Sequence, residues 1–457
     1  MRALLGLAAI ALAACAPAGN APRPEARATV ASPGPLPELD GYASAVGAQP
    51  VPWTRRTLAD DFIEITFDTE WGVRTDQLLR FPGDVRIALI GSELNGYLAY
   101  AEDLARRLDA ATGPDHKVSL VNSPNAKPEI VFRTAPRNQM RRLAPGALCF
   151  LTPFRGDWRS YVAARANGGA RWADTTELTA ITIFIPQYAT PYEIRVCLEE
   201  EATQALGAAN DLYRLEDTIF NDDNAHIRFT AFDAVILRVL YDDAIRPGMN
   251  REAARAASLE ALGRAVGSFG RERRFGHIVD DIHDELRELV WNASGPSQRR
   301  SRAAIATKRL REESLRDHRL AEALTIEAVL AVRDNEHARA IALLEEAEAS
   351  LIAALPTNGV RLALTRGSLA VLYKREGRAR DALTKLDLAI PVLAANAHDK
   401  RLAEALRWRA AARAQLGDVS SARRDAREAL EWARYVFGRD SATVRKWRKQ
   451  FADLKLL

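Results

Sequence analysis

Three cysteines in 457 residues are too few for a disulfide-rich scaffold. Charge of one sign is also missing. The 64 basic and 60 acidic residues leave a net charge of +4, too even for a nucleic-acid binder. No apolar run reaches the roughly 20 residues that a membrane-spanning helix needs, so a polytopic membrane protein is excluded. The chain lacks G-x-S-x-G, a Walker loop and G-x-G-x-x-G, which removes serine-hydrolase and nucleotide-binding readings. Neither Cys149 nor Cys197 has an evident histidine partner, and His277 and His283 are spaced so that they share no helix face. What is present is ordinary for a soluble chain: 47% apolar and 27% charged residues, at a length that suits two or three domains.

The first residues read as an address. MRALLGLAAIALAAC has one basic residue, Arg2, and an uncharged apolar stretch from Ala3 to Ala14. That length fits a secretory h-region. Leu12-Ala13-Ala14-Cys15 resembles the bacterial lipobox, in which cleavage precedes a cysteine whose thiol carries diacylglycerol. Residues 1–15 are therefore expected to be a lipoprotein signal peptide ending at a lipidated Cys15. An ordinary signal peptide with an incidental Cys15 is the alternative. Ala16, in place of Asp, favours the outer membrane, and several acyl chains make a stable anchor. Residues 16–54 are Pro- and Ala-rich and read as a flexible tether. An oxidising compartment permits a Cys149–Cys197 disulfide; two separate buried thiols are the alternative.

The next stretch mixes strand and helix signals. Phe62 to Phe67, Val85 to Ile90, Ile130 to Phe132 and Ile181 to Ile185 read as strands. Tyr97 to Leu108 has one apolar helical face. Pro191 to Gly207 reads as a long helix, with a proline suited to its first turn and a glycine suited to its end. An acidic loop follows, then a helix ending before Pro247, and further helices over about 251–267 and 276–291. Net charge is −7 over residues 1–290 and +11 over 291–457, and the acidic excess concentrates between 191 and 250. A solvated acidic face and a cation site both remain open there.

Within that helix, Glu200-Glu201-x-x-Gln204-x-x-Gly207-x-x-Asn210 has the spacing of the metzincin zinc-protease motif. The resemblance puts Glu200, Gln204 and Asn210 at the three metal-ligand positions, with Asp211 beside them, and Glu201 at the general base. Met249 follows where a Met-turn would lie. Positions i and i+4 share a helix face, which is why ligands are spaced that way. The histidines are absent, however. Glu, Gln and Asn offer oxygen donors, which suit a divalent cation such as Ca²⁺ or Mg²⁺ and not zinc. The bland alternative for Glu201 is a buried carboxylate paired with Arg238 or Arg246.

The wider pattern resembles the domain of unknown function 2927 family, largely secreted proteins and lipoproteins of Gram-negative bacteria. The matching positions are Glu200, Glu201, Gln204, Leu206, Gly207, Asn210 and Asp211, then Phe220, Asn221 and Asp222. Leu237, Arg238, Leu240, Tyr241, Asp242, Gly248 and Met249 complete it. The resemblance implies an α+β domain over 55–295, a metallopeptidase-like mixed sheet with helices, and assigns no activity.

Residues 294–302 (SGPSQRRSR) read as a linker, and an all-α domain is expected over 303–457. NEHARAIALLEEA, GRARDALTKLDLA and GDVSSARRDAREA align without gaps, bringing Ala340, Ala382 and Ala422 into register. This resembles the tetratricopeptide repeat in a lengthened form, with Asn335, Gly377 and Gly417 at the tight turn and a capping helix around Trp447. A plain helical bundle is the alternative. Such arrays bind protein segments.

These readings converge on a lipid-anchored cell-envelope protein, facing the periplasm from the outer membrane. The favoured role is binding or assembly, through a degenerate metallopeptidase-like domain and a helical-repeat domain that takes a protein or peptide partner. The alternative is a periplasmic metal-dependent hydrolase using Glu201 as general base.

Overall fold

The computed structural model describes residues 50–457 apart from 71, 122–125, 213–214, 216–217, 222–224, 273–295, 313–317 and 355–358. The lipobox with Cys15, most of the tether, the helix expected over 276–291, His277, His283 and Asp222 lie outside the described residues. The rest divides into two compact units, one covering most of the chain up to Phe275 and one from Gly276 onward. The first is α+β and the second all-α, as the sequence predicts. Among the described residues, no helix is long and apolar enough to cross a membrane.

The α+β unit opens differently from its sequence reading. The tether ends in a strand, β1 (Pro50–Trp53), which pairs in parallel with β7 (Ser268–Glu272). The run read as a strand over Phe62 to Phe67 is the second half of helix α1 (Arg55–Phe67). Thr54 caps α1, its side-chain oxygen accepting from the Thr57 amide at 3.2 Å. Leu58, Phe62 and Ile65 are all fully buried, and that spacing is one helical face. Tertiary burial therefore outweighs the β-propensity of the FIEITF run.

Five strands follow: β2 (Val85–Ile90), β3 (Val118–Leu120), β4 (Ile130–Ala135), β5 (Phe150–Thr152) and β6 (Ile181–Pro186). They form one sheet in the order β3-β2-β4-β6-β5. The first four in that order are parallel, and β5 runs antiparallel on the edge. Helix α2 (Leu98–Thr112) makes the β2–β3 crossover; α3 (Arg137–Leu143) and α4 (Trp158–Ala166) flank β5. β6 is buried along its whole length, as expected of a strand covered on both faces. Ile181, Ile183 and Ile185 face the main core, while Phe184 joins Phe150, Trp158 and Tyr161 in an aromatic cluster on the other side. Helix α5 (Pro191–Gln204) leaves the end of β6, and α6 (Ala231–Leu240) and α7 (Arg251–Ala265) complete the unit.

The second unit starts earlier than 303. The stretch read as a linker enters helix α8 (Pro296–Glu312) at its proline, a residue well suited to a first turn. Seven helices follow: α9 (His318–Arg333), α10 (His337–Ala354), α11 (Val360–Arg375), α12 (Ala379–Ala395), α13 (Asp399–Gln415), α14 (Val419–Phe437) and α15 (Ala442–Asp453). They pack as the pairs α9/α10, α11/α12 and α13/α14, and successive pairs stack. The three intra-pair turns share one geometry. Asn335, Gly377 and Gly417 take φ of 62°, 77° and 85°. The next amide in each (Glu336, Arg378, Asp418) donates to a carbonyl five residues back, at 2.9, 2.8 and 3.0 Å. This is a Schellman-type ending repeated three times. Ala340, Ala382 and Ala422 are each fully buried; a larger side chain there would force the paired helices apart.

Candidate functional site

α5 carries the motif positions, and its three consecutive glutamates point in different directions because each residue advances about 100° around a helix. Glu199 is completely buried. It accepts from Arg107 on α2 through both oxygens, at 2.6 Å (Nη2 to Oε1) and 3.0 Å (Nη1 to Oε2). Tyr100 donates its hydroxyl at 2.5 Å and the Phe229 amide donates at 3.1 Å. Burial alone would raise this carboxyl, but the Arg107 guanidinium and these donors bring it down to about 2. Glu199 is therefore the anion that joins α5 to α2 and to the start of α6.

Glu201, at the candidate general-base position, has the opposite environment. It is 4% exposed, and among the described residues its Oε2 has no hydrogen-bond partner. Burial, with the charges of Glu200 and Glu70 nearby, holds it well above the ordinary carboxylate range. Burial and Glu70 push Glu200 up to about 8. Glu70 reaches this site because its amide donates to the Ala209 carbonyl at 3.1 Å. Both shifts favour the neutral acid, the form that avoids two anions in a poorly solvated place. Neither is paired with Arg238. That guanidinium instead donates to the Ala110 and Ala111 carbonyls, the latter at 2.7 Å, and so satisfies the C-terminal end of α2.

The other candidate ligands are tied into the protein. Gln204 Nε2 donates to Asp211 Oδ1 at 3.2 Å, and Asn210 Nδ2 donates to the Glu64 carbonyl at 3.0 Å. The structure thus brings Gln204 and Asp211 together, and Glu200 and Glu201 with Glu70, but turns the Asn210 amide toward α1. Among the described residues, no group of three or more His, Cys, Asp or Glu side chains is placed to hold a metal ion. The oxygen-only donor set and this geometry do not fit a zinc centre.

Several remaining motif residues serve the same frame. Gly207 ends the helical turn with φ +115°, and a Cβ there would meet the Leu79 carbonyl. Met249 and Gly248 exchange backbone hydrogen bonds with Leu78, at 2.8 and 3.0 Å. Tyr241 donates its hydroxyl to the Leu206 carbonyl at 3.0 Å, and Asn221 Nδ2 donates to the Leu215 carbonyl at 2.5 Å. The Cys149–Cys197 disulfide is present, joining the residue just before β5 to α5 across 48 residues. The role of Glu199 has a faint sequence signal: in a run of three glutamates on one helix, a single face cannot take all three.

The raised pKa of Glu200 sets a pH dependence. Below the ordinary value of 4.5 the carboxyl is neutral folded or unfolded, and nothing is lost. As pH rises toward about 8 the unfolded chain ionises freely and the folded one resists, so stability falls. Glu200→Gln should match the parent near pH 4 and exceed it by a few kcal/mol near pH 8–9. Urea midpoints at the two pH values check this; a variant weaker than the parent at the higher pH contradicts it.

Residues 55–259 match the model of a family described as "Protein of unknown function (DUF2927)". No curated protein matches the sequence.

Proposed function

We propose that this chain, whose α+β domain belongs to the DUF2927 family, is a lipid-anchored cell-envelope binding or assembly factor. Its metallopeptidase-like domain is degenerate, and its tetratricopeptide-like array holds a protein partner. The observation that carries the reading is the placement of Glu201 and of the residues at the ligand positions. A general base must be ionised and within reach of a water or substrate proton. Glu201 is buried, its Oε2 has no hydrogen-bond partner among the described residues, and burial beside Glu200 and Glu70 raises it well above the ordinary carboxylate range. Gln204 and Asn210, where the resemblance puts metal ligands, are engaged by Asp211 and by the Glu64 carbonyl. The repeated turns and the buried Ala340, Ala382 and Ala422 support a stacked array of paired helices, an architecture whose extended faces bind protein segments.

Two measurements on cells test this. Radiolabelled palmitate should mark the parent and not Cys15→Ser; label that persists in the variant contradicts the anchor. In-cell cross-linking should capture the same species with Glu201→Gln as with the parent. Loss of that species with Glu201→Gln would contradict a purely structural role for the carboxyl.

A further inference from the structure

We propose that the outward face of α15, the helix that follows the three pairs, lies against the headgroups of an anionic phospholipid bilayer. The proposal rests on the cell-envelope reading given above for a bilayer nearby, and does not depend on the acyl chain. α15 divides cleanly by burial. Val444, Trp447 and Phe451 are buried, and their spacing is one helical face. Trp447 meets Phe437 of α14 edge-on, with ring centroids 5.7 Å apart, so this face is fixed on the array. Arg445, Lys446, Arg448 and Lys449 are exposed, and the helical rotation puts them together on the opposite side. A hydrogen bond extends the patch. Arg423 of α14 donates to the Lys455 carbonyl at 3.3 Å, which brings these exposed residues together at the C-terminal end of α15.

Among the described residues, no carboxylate pairs with any of these cations. Elsewhere in the array arginines find such partners. Arg366 sits 2.9 Å from Glu348, and Arg409 and Arg413 converge on the buried Asp425 at 2.8 and 2.9 Å. Residues 442–457 hold five basic side chains against one acidic, Asp453. Arg445 with Lys449 is an i,i+4 pair, and like charges at that spacing destabilise a helix. The helix dipole does not offset this, because it favours cations in the last turn, where α15 has none. A terminal helix of an array needs a polar outer face, but mixed charges would supply one without the repulsion. A face of one sign draws in an anionic surface.

The chemistry favours lipid over an acidic protein. Arg445 donates to the Asp440 carbonyl, and among the described residues no side chain fixes the guanidinium of Arg445 or Arg448. A protein carboxylate is recognised by a positioned fork, whereas a lipid surface is recognised by charge density. Leu454 and Leu457, 40% and 59% exposed just past the helix, add apolar contacts suited to the headgroup boundary beside basic side chains.

The test uses the full chain with Cys15→Ser, which removes the thiol of the proposed anchor, and sedimentation with vesicles as readout. Phosphatidylcholine vesicles measure what the apolar Ala3–Ala14 stretch contributes. Equimolar phosphatidylcholine and phosphatidylglycerol vesicles measure the basic face. Binding to the anionic vesicles should be the tighter, and the excess should fall as salt rises. Arg445→Gln, Lys446→Gln, Arg448→Gln and Lys449→Gln together should weaken it roughly a hundredfold or more and leave the thermal melt in place. Arg445→Lys with Arg448→Lys keeps the charge and should bind as the parent does. Three results would overturn the proposal: equal binding of the parent to both vesicles, unchanged anionic binding in the glutamine variant, or loss of binding in the lysine variant. The last would assign the face to a protein carboxylate. Failure here removes the lipid-facing surface and leaves the anchored, non-hydrolytic reading to its own tests of acyl labelling and metal content.

Discussion

Glu199→Ala is expected to destabilise the α+β domain by about 3–5 kcal/mol, enough to unfold it in mild denaturant. The loss follows from what remains. Arg107 is 4% exposed and has its guanidinium fixed between Glu199 and Asp103. Without Glu199 its remaining carboxylate partner among the described residues is the half-exposed Asp103, 2.9 Å from its Nε. Tyr100 and the Phe229 amide lose their acceptor at the same time. Removing one member of a buried pair costs far more than the pair contributes, because the other charge stays desolvated. Replacing Glu199 and Arg107 together by apolar residues should therefore recover much of the loss. Urea unfolding of the single and double variants checks both statements. A single variant within about 1 kcal/mol of the parent would refute the tie between α5 and α2.

Loss of the Cys149–Cys197 bridge is the second large effect. Cross-linking two points 48 residues apart removes unfolded-state entropy worth about 4 kcal/mol in the chain-entropy model. Cys149→Ala with Cys197→Ala should lower the unfolding midpoint accordingly. Reductant should shift the parent toward the variant and leave the variant unmoved. The bridge ties the antiparallel edge strand to the motif helix, so amide exchange should rise first in β5 and in the middle of α5. A midpoint unchanged by the double substitution would show that the bridge adds nothing to this core.

The sequence made the architecture readable where periodicity was unambiguous. The runs at 85–90, 130–132 and 181–185 became strands, and YLAYAEDLARRL became the crossover helix α2. The repeat alignment anticipated both the turn residues and the small buried alanines. FIEITF was misread because its β-branched residues also complete the Leu58–Phe62–Ile65 face, which only the cap at Thr54 and the packed core reveal. Over 296–302 the linker reading gives way to helix α8 for a related reason: Pro296 starts a helix as readily as it marks a loop.

The motif itself was legible as spacing and not as chemistry. Glu200, Glu201 and Gln204 do lie on one helix, and Gly207 does turn the chain. Which glutamate would be ionised depended on partners far away in sequence. Arg107 and Tyr100 lower Glu199, while Glu70, brought in by its backbone contact with Ala209, raises Glu200 and Glu201. Arg238 was a natural partner for Glu201 on charge alone, yet the free carbonyls at the end of α2 took it instead. Local spacing cannot disclose such competition between a carboxylate and an unsatisfied helix terminus.

The proposed function has the motif helix build the fold without holding a catalytic metal. Metal content per chain, by elemental mass spectrometry on protein purified without chelator, tests it most directly. The account predicts far less than one metal ion per chain, unchanged in Glu200→Ala. One bound ion per chain, lost in Glu200→Ala, would contradict it and make Glu201 the first residue to examine as a general base.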